Sequence, residues 1–521
     1  MHYDDSDMDV YQVLTPRDMR ETEQKAFALG VPSLLLMEHA AMAVVDALEK
    51  ELGGRCKGKK VLFLCGTGNN GGDGLAAARL FVMRGGKAEI WLSGAPKTPD
   101  AQINLAWCRA LDIPMLNLRE MPVEEWPLNG EGPREHFDGY VDALLGTGMK
   151  GAPDEVTTRM ILVPWHDFSF PPVIAVDIPS GLNGLTGEVF GDSYVHANVT
   201  VTFHAPKPGL YLTQDREAVG KIIVADIGLW RMDPWHSDAL LLEDAELHCE
   251  VLTEKALRLL PKRALNAHKG DCGRILIYAG SMGMAGAAAM CAKAAIAAGA
   301  GLTTIACSRE MMPILQTLVP NAMCVDMEKA VREKPAYDVL VMGCGLGQGE
   351  EVWQNIKALY DPEKITVWDA DALNLLAKDP FVLGEKAVIT PHIGEAARLL
   401  GCTVSEVLAD KLLAARKLCE KFGCTAVLKS DVTVICRMED GKPEYIFHAV
   451  GSPAMAKGGS GDVLAGMMGA LLHQKTLPLQ AAGLACLWHG MAGKTGEKKY
   501  GLLELTAEQL IDCLYEARKD V

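Results

Sequence analysis

A chain of 521 residues with 67 acidic against 51 basic side chains carries a formal charge of −16 at pH 7, which excludes the basic face a nucleic-acid-binding protein needs. The length excludes a single ordinary domain, since domains run to about 150 residues, so two to four are expected. Hydrophobic residues make up 49% of the chain, enough for large buried cores.

The opening MHYDDSDMDV is acidic and lacks the basic and apolar regions of a secretory leader, so a cytoplasmic protein is expected. Fifteen cysteines stand singly, with no C-x-x-C pair and no His/Cys cluster at zinc spacing; they read as reduced, mostly buried thiols. Residues 15–52 predict two helices, the first opened by a Thr cap and a Pro, the second capped by Ser33. KKVLFLC (59–65) predicts a buried strand, a glycine loop follows, a helix is expected over 74–84, and KAEIWLS (87–93) is the next strand. Such a βαβ unit needs a parallel sheet covered by helices on both faces. Further strands at 139–146, 172–181, 199–205 and 220–228 complete a doubly wound α/β domain.

Residues 229–248 hold no sustained period and are read as the boundary. Strand–loop–helix alternation then restarts, with strands at 273–281, 301–307, 337–345, 365–373 and 386–392, three short strands within 424–449, and helices at 461–473, 479–496 and 506–518. The longest apolar stretch, 284–307, is mainly Ala and Gly and includes Lys293; it reads as a packed helix running into a strand, so no membrane span is expected.

Two glycine–aspartate loops stand out. GTGNNGGDG (66–74) lies between a strand and a helix, where backbone N–H groups hold anions, but it is neither G-x-G-x-x-G nor a Walker loop. Alone it is a glycine-rich turn. VDALLGTGMKGA (141–152) and VDIPSGLNGLTGE (176–188) each put a carboxylate at a strand end, where ligands bind in open parallel sheets, so Asn70, Asp142, Asp177 and Ser180 are expected to converge. Together with FHAPKPGL (203–210), these segments resemble the NAD(P)H-hydrate epimerase domain, here assigned to residues 10–232 with a Rossmann-like, three-layer fold. The histidine of FHAPKPGL departs from the small residue common there, so Pro206 and Lys207 carry that part of the match. The resemblance implies that Asn69, Asn70, Gly71, Gly72, Asp73, Gly146, Thr147, Gly148, Met149, Lys150, Gly151, Ala152 and Asp177 contact the hydrated nucleotide. It also implies that Asn70, Asp142 and Ser180 bind a potassium ion, for which oxygen donors suit a hard cation. Inverting a carbinolamine needs a proton carrier, and Asp177 is the candidate; the plainer reading is an aspartate capping the turn before Pro179.

KGGSGD (457–462) opens the helix that follows it, and alone it reads as a helix cap. Three companions weigh against that: GSMGMAGAAAM (280–290), TPHIGEAARLL (390–400) with His392 and Glu395, and VLKSDVTVI (427–435) with Lys429. With KGDCGRILIYAGS and DADALNLL, they resemble the ADP-dependent NAD(P)H-hydrate dehydratase domain, a ribokinase-like α/β domain here assigned to residues 245–518. The resemblance implies that Ala287, Gly345, His392 and Asp462 meet the hydrate. Lys429, Ser430, Asp431, Val432, Thr433 and Gly461 then hold the adenine nucleotide, with Asp462 as catalytic base. Cys344 stands where that family often has proline, and His392 also reads as a helix cap or core histidine.

Both halves together resemble the bifunctional NAD(P)H-hydrate repair family. That resemblance implies epimerisation of the R and S hydrates of NADH and NADPH (NADHX and NADPHX), then ADP-dependent dehydration of the S hydrate. Potassium, Mg²⁺ and ADP are the expected cofactors and co-substrate, and a homo-oligomer the expected assembly. Dehydration through a phosphorylated hydrate and direct dehydration with the nucleotide as a structural ligand both stay open. The rival reading is a vitamin-precursor kinase of the same second fold with an accessory nucleotide-binding domain.

Overall fold

The computed structural model describes residues 9–129, 132–149, 151–229, 247–333, 336–474 and 477–519. The chain forms two compact units, one from Gln12 to Leu247 and one from His248 onward that also takes residues 9–11. The expected boundary ends, 232 and 245, lie outside the described residues, as does Lys150.

The first unit is built on seven parallel strands in the order Lys221–Ala225, Val199–Phe203, Val173–Val176, Gly139–Ala143, Lys60–Cys65, Lys87–Leu92 and Met115–Asn117. Side-chain alternation sorts them into two cores. Val61, Phe63, Cys65, Ile90, Val141, Ile174 and Val176 join one, under helices Ser33–Glu51 and Asn69–Met83. Leu62, Leu64, Trp91, Tyr140 and Val173 join the other, with Met160 and Ile161 of helix Glu155–Leu162. Three layers follow from this burial on both faces. From Lys60–Cys65 the chain builds outward in one direction, then crosses to Gly139–Ala143 and builds in the other. The loops after these two strands therefore diverge, leaving a crevice at their C-terminal ends.

Two local expectations need correction. The helix expected from residue 74 begins at Asn69, so NNGGD forms its first turn and is not a loop. Its glycines let it press on the sheet: a Cβ at Gly71 would stand 2.0 Å from Gly66 O, and one at Gly74 2.5 Å from the Ala143 Cβ. The second helix starts at Ser33 itself, with Pro32 in the capping position, whereas Thr15 caps the first as expected.

The second unit has eleven strands in the order Val10–Gln12, His248–Leu252, Lys442–His448, Thr433–Glu439, Thr425–Leu428, Ala387–Ile389, Ile365–Trp368, Val339–Met342, Arg274–Tyr278, Leu302–Cys307 and Met323–Asp326. Seven neighbouring pairs are parallel, and Thr425–His448 adds an antiparallel meander. Val10–Gln12 lies in this sheet, not in the first domain, where the sequence reading begins at residue 10. Thr253 N donates to Asp9 O at 2.9 Å, and Arg258 pairs with Asp9 at 2.6 Å. Helices Ala285–Ala297, Ser460–Gln474 and Pro478–Tyr500 pack on the sheet, the first two so closely that a Cβ at Gly466 would stand 2.0 Å from Cys291 O. The strand expected over 365–373 stops at Trp368 and gives way to helix Ala370–Lys378. Among the described residues no helix is long and apolar enough to cross a membrane, and the apolar stretch 284–307 is a helix followed by a strand.

Candidate active sites

At the crevice of the first unit lies a cavity of about 1230 Å³. Asn69, Asn70 and Asp73 line it from the helix start, Gly146, Thr147, Gly148, Met149, Gly151 and Ala152 from the next loop, and Asp177 from a third strand end. Gly71 and Gly72 do not line it. They are buried against the body of the domain, where a Cβ at Gly72 would meet the Met37 methyl at 2.7 Å. Gly68 offers the helix no side-chain cap, so the positive end of the helix faces the cavity.

Asp177 follows strand Val173–Val176 with φ of +65°, a left-handed conformation that Asp tolerates better than most residues. Its Oδ1 accepts from Lys207 Nζ at 2.6 Å and Thr202 Oγ1 at 3.1 Å. Lys207 is 1% exposed, and its remaining donors go to Thr202 Oγ1 at 3.0 Å and Phe203 O at 3.1 Å. Glu23, from helix Pro16–Ala28, lines the same cavity. Burial pushes the Glu23 carboxyl up, with Lys207 opposing and Asp177 adding. Burial pushes Asp73 well above the usual carboxylate range, and the charges of Asp177 and Glu23 add to it. The sequence reading missed Glu23: a lone glutamate on an amphipathic helix carries no motif.

Asp142 and Ser180 lie behind this cavity, both with no exposed surface. Ser180 Oγ donates to Asp142 Oδ1 at 2.6 Å and Ser180 N to Asp142 Oδ2 at 2.8 Å. Burial holds the Asp142 carboxyl up at about 6 against these bonds. The loop from Leu144 to Gly146 ties the expected potassium ligands together. Leu144 N donates to Asp142 Oδ1 at 3.3 Å, Leu145 N to Ser180 Oγ at 2.9 Å, and a Cβ at Gly146 would stand 3.2 Å from the Asn70 amide. The Asn70 Nδ2 is buried without a partner.

In the second unit, Asp462 sits in the first turn of helix Ser460–Gln474. Ser460 N and Val463 N reach loop carbonyls, while among the described residues the N–H groups of Gly461 and Asp462 make no hydrogen bond. Two free donors at the positive end of a helix form an anion site with a carboxylate beside it. Lys429 Nζ lies 3.5 Å from where a Gly461 Cβ would be and 2.7 Å from Asp369 Oδ1, which also accepts from Thr390 Oγ1 at 2.8 Å. Donor atoms of Cys344, Asp369 and Asp462 fall within 4.8 Å of one another. Burial pushes the Asp462 carboxyl up to about 6; a bond from Cys344 and the charge of Lys429 oppose this, and Asp369 adds to it. Burial works against the Lys429 ammonium, yet Asp369 and Glu395 hold its pKa above the ordinary value.

Gly345 has φ of +62°, and a Cβ there would meet Ala287 Cβ at 2.9 Å, so those two predicted residues touch beside Cys344. Lys429 N donates to Pro391 O at 2.8 Å, which brings the strand end beside His392. His392 is the cap of helix Ile393–Leu400: its Nδ1 accepts from Gly394 N at 3.0 Å and Glu395 N at 3.4 Å. Its side chain remains 53% exposed, and its Nε2 lies 3.4 Å from Glu395 Oε1. Of the expected nucleotide residues, Val432 and Thr433 are buried and Asp431 is exposed, while Ser430 is half-buried with its Oγ donating to Val432 O at 2.5 Å. Asp369 was missed as a site residue although DADALNLL begins on it; a carboxylate directly after a strand was the available signal.

A family model described as NAD(P)H-hydrate dehydratase matches residues 275–516, and one described as YjeF-related protein N-terminus matches residues 33–209. The bifunctional NAD(P)H-hydrate repair enzyme Nnr of Coxiella burnetii is 37% identical over 506 residues, covering 96% of this chain and 97% of its own. The enzyme of the same name from Escherichia coli is 38% identical over 460 residues, covering 87% and 84%. The ADP/ATP-dependent NAD(P)H-hydrate dehydratase of Bacillus subtilis, crystallised with ATP/Mg²⁺, is 31% identical over 51% of this chain and 97% of its own, with a TM-score of 0.47. With both domain families matched in order and full-length relatives above 30% identity, the chain belongs to the bifunctional NAD(P)H-hydrate repair enzymes.

Proposed function

We propose that the chain repairs hydrated NADH and NADPH. The first domain interconverts the R and S hydrates, and the second uses ADP to dehydrate the S hydrate back to the reduced cofactor. The observation that carries the reading is the presence of two separate acid-bearing sites in one chain of this family: Asp177 at a nucleotide-sized cavity and Asp462 at an open helix start.

In the first site, epimerisation requires a group that lends a proton to the leaving hydroxyl and takes one back when water returns to the other face. Asp177 is that group, oriented by the buried Lys207, while Asp73 and Glu23 complete an acidic wall. Gly146 to Ala152 and the helix start at Asn69 then hold the nucleotide. Asn70, Asp142 and Ser180 suit a potassium ion. Their donors are hard oxygens, a buried carboxylate among them, and a turn of the Asn70 amide would swap its unpartnered nitrogen for oxygen. The ion would neutralise Asp142 and brace the loop at Gly146.

In the second site, Asp462 takes the proton of the hydrate hydroxyl. The oxygen then attacks the β-phosphorus of ADP, AMP leaves, and the Gly461 and Asp462 N–H groups with Lys429 meet the charge on the phosphoryl oxygens. The ring nitrogen then expels phosphate, and loss of the adjacent proton restores the reduced ring. Ala287, Gly345 and His392 would line the ring's side of this site. Ser430 and Asp431 would face the nucleotide, with Val432 and Thr433 bracing them from the core. Magnesium would arrive on the phosphates, with Asp369 and Asp462 the nearest carboxylates.

A cytoplasmic location is part of the reading, supported by fifteen free thiols. Self-association is also part of it, supported by Trp165, Phe168 and Phe170 at 62%, 84% and 80% exposure. The test is incubation with mixed hydrates and ADP, following the near-ultraviolet band of the reduced ring. Full recovery with AMP and phosphate released in step supports the reading; recovery without either sinks the phosphorylated route. Asp177→Asn should stop conversion of the R hydrate alone, and Asp462→Asn should stop dehydration alone.

A further inference from the structure

His489 is buried in the middle of helix Pro478–Tyr500, 8% exposed, and none of the steps above uses it. Its Nε2 lies 3.0 Å from Ser460 O and 3.4 Å from Ser460 Oγ. A carbonyl oxygen only accepts, so Nε2 carries the hydrogen and the bond runs from histidine to Ser460 O. That oxygen belongs to the peptide joining Ser460 to Gly461. In a trans peptide the C=O and N–H point opposite ways, so fastening the oxygen from beneath turns the Gly461 N–H away from His489. Gly461 in turn faces Lys429 and Asp369, 3.5 Å and 3.8 Å from where its Cβ would be.

Two glycines on the same helix explain how the ring reaches this peptide. A Cβ at Gly490 would stand 2.1 Å from Val450 O, and one at Gly493 2.0 Å from Met455 Sδ. The helix is thereby pressed against the segment that leads into the glycine–aspartate loop, and at Gly490, where the contact is with backbone, a larger residue would lift it away. Burial also holds His489 neutral, with its pKa pushed down to about 4, so it brings no charge beneath the loop.

We propose that His489 is a positioning residue for the dehydration: it anchors the Ser460 carbonyl and so aims the Gly461 N–H at the transferring phosphoryl group. This rests on the reading of residues 457–462 as the anion-binding loop.

The test compares His489→Phe, His489→Gln and Asp462→Asn in the full chain. Phe keeps the bulk and loses the N–H, whereas Gln keeps an N–H at similar reach. His489→Phe should lower kcat for dehydration by about ten- to a hundred-fold, since misaimed donors cost that much, with KM for ADP within about threefold. His489→Gln should stay within about threefold of the parent kcat, and both variants should keep the parent melting temperature of the dehydratase domain. An unchanged kcat in His489→Phe overturns the proposal, as does a loss in His489→Gln equal to that in His489→Phe. A kcat loss matched by a fall in melting temperature also overturns it, because the role is then structural. Asp462→Asn retaining full activity would instead sink the loop reading beneath it.

Discussion

The ammonium of Lys207, sealed from solvent, lies 2.6 Å from a carboxylate oxygen of Asp177, the proposed proton carrier. A charge buried to that depth survives because Asp177, Thr202 and Phe203 together take up its donors.

Lys207→Met should therefore do two things. Removing one partner of a buried pair strands the other, which costs about 3–5 kcal/mol of stability in the first domain. Epimerisation should be lost with it, while dehydration of the S hydrate continues. Denaturant unfolding, together with activity measured on each separated epimer, checks both. A variant as stable as the parent would show that the pair contributes nothing to the fold.

Protonation of Asp462 supplies a pH signature. A base must be deprotonated to act, and this carboxyl is held up at about 6, so kcat/KM for dehydration should rise through that pH and level off above it. Cys344 donates to Asp462 and opposes the upward shift, so Cys344→Ala should move the rising limb to higher pH. For stability the sign is reversed. A carboxyl raised in the folded state favours folding at low pH, and that contribution is lost as pH rises through about 6. Calorimetry across pH 4–8 should therefore show the parent losing more dehydratase-domain stability over this window than Asp462→Asn.

The potassium reading makes a demand independent of catalysis. Potassium chloride should raise the melting temperature of the first domain above the value in tetramethylammonium chloride at equal ionic strength, because a bound ion stabilises only the folded state. Asp142→Asn should remove that difference. Equal melting in both salts for the parent protein would dismiss the ion.

Gly71→Ala tests the helix–sheet fit. The new methyl would stand 2.0 Å from Gly66 O, a backbone atom that cannot swing aside, so at least the usual overpacking cost of about 1–3 kcal/mol is expected. Gly148→Ala, with nothing within 4 Å of its Cβ, should be nearly neutral, and thermal melts would compare the two.

Much of this was legible in the residues. Strands of the first sheet read as apolar runs because both faces are buried, and Asp142, Asp177 and Lys429 declared themselves by standing at strand ends. What escaped has physical causes. Met115–Asn117 and Met323–Asp326 are edge strands of three and four residues, too short to show a period. The start of the helix at Asn69 was hidden because glycines that argue for a loop by propensity were present for close packing. Glu23 and His489 stand on helices that carry no motif, and the groups they lie near, Asp177 and Ser460, belong to other elements.

The small strand Val10–Gln12 also decides how this protein can be taken apart. It covers one side of His248–Leu252, so a gene fragment beginning near residue 245 would leave that ribbon bare, with its row of donors and acceptors open to any passing chain. A dehydratase half expressed alone should clump unless the first dozen residues are grafted back onto it.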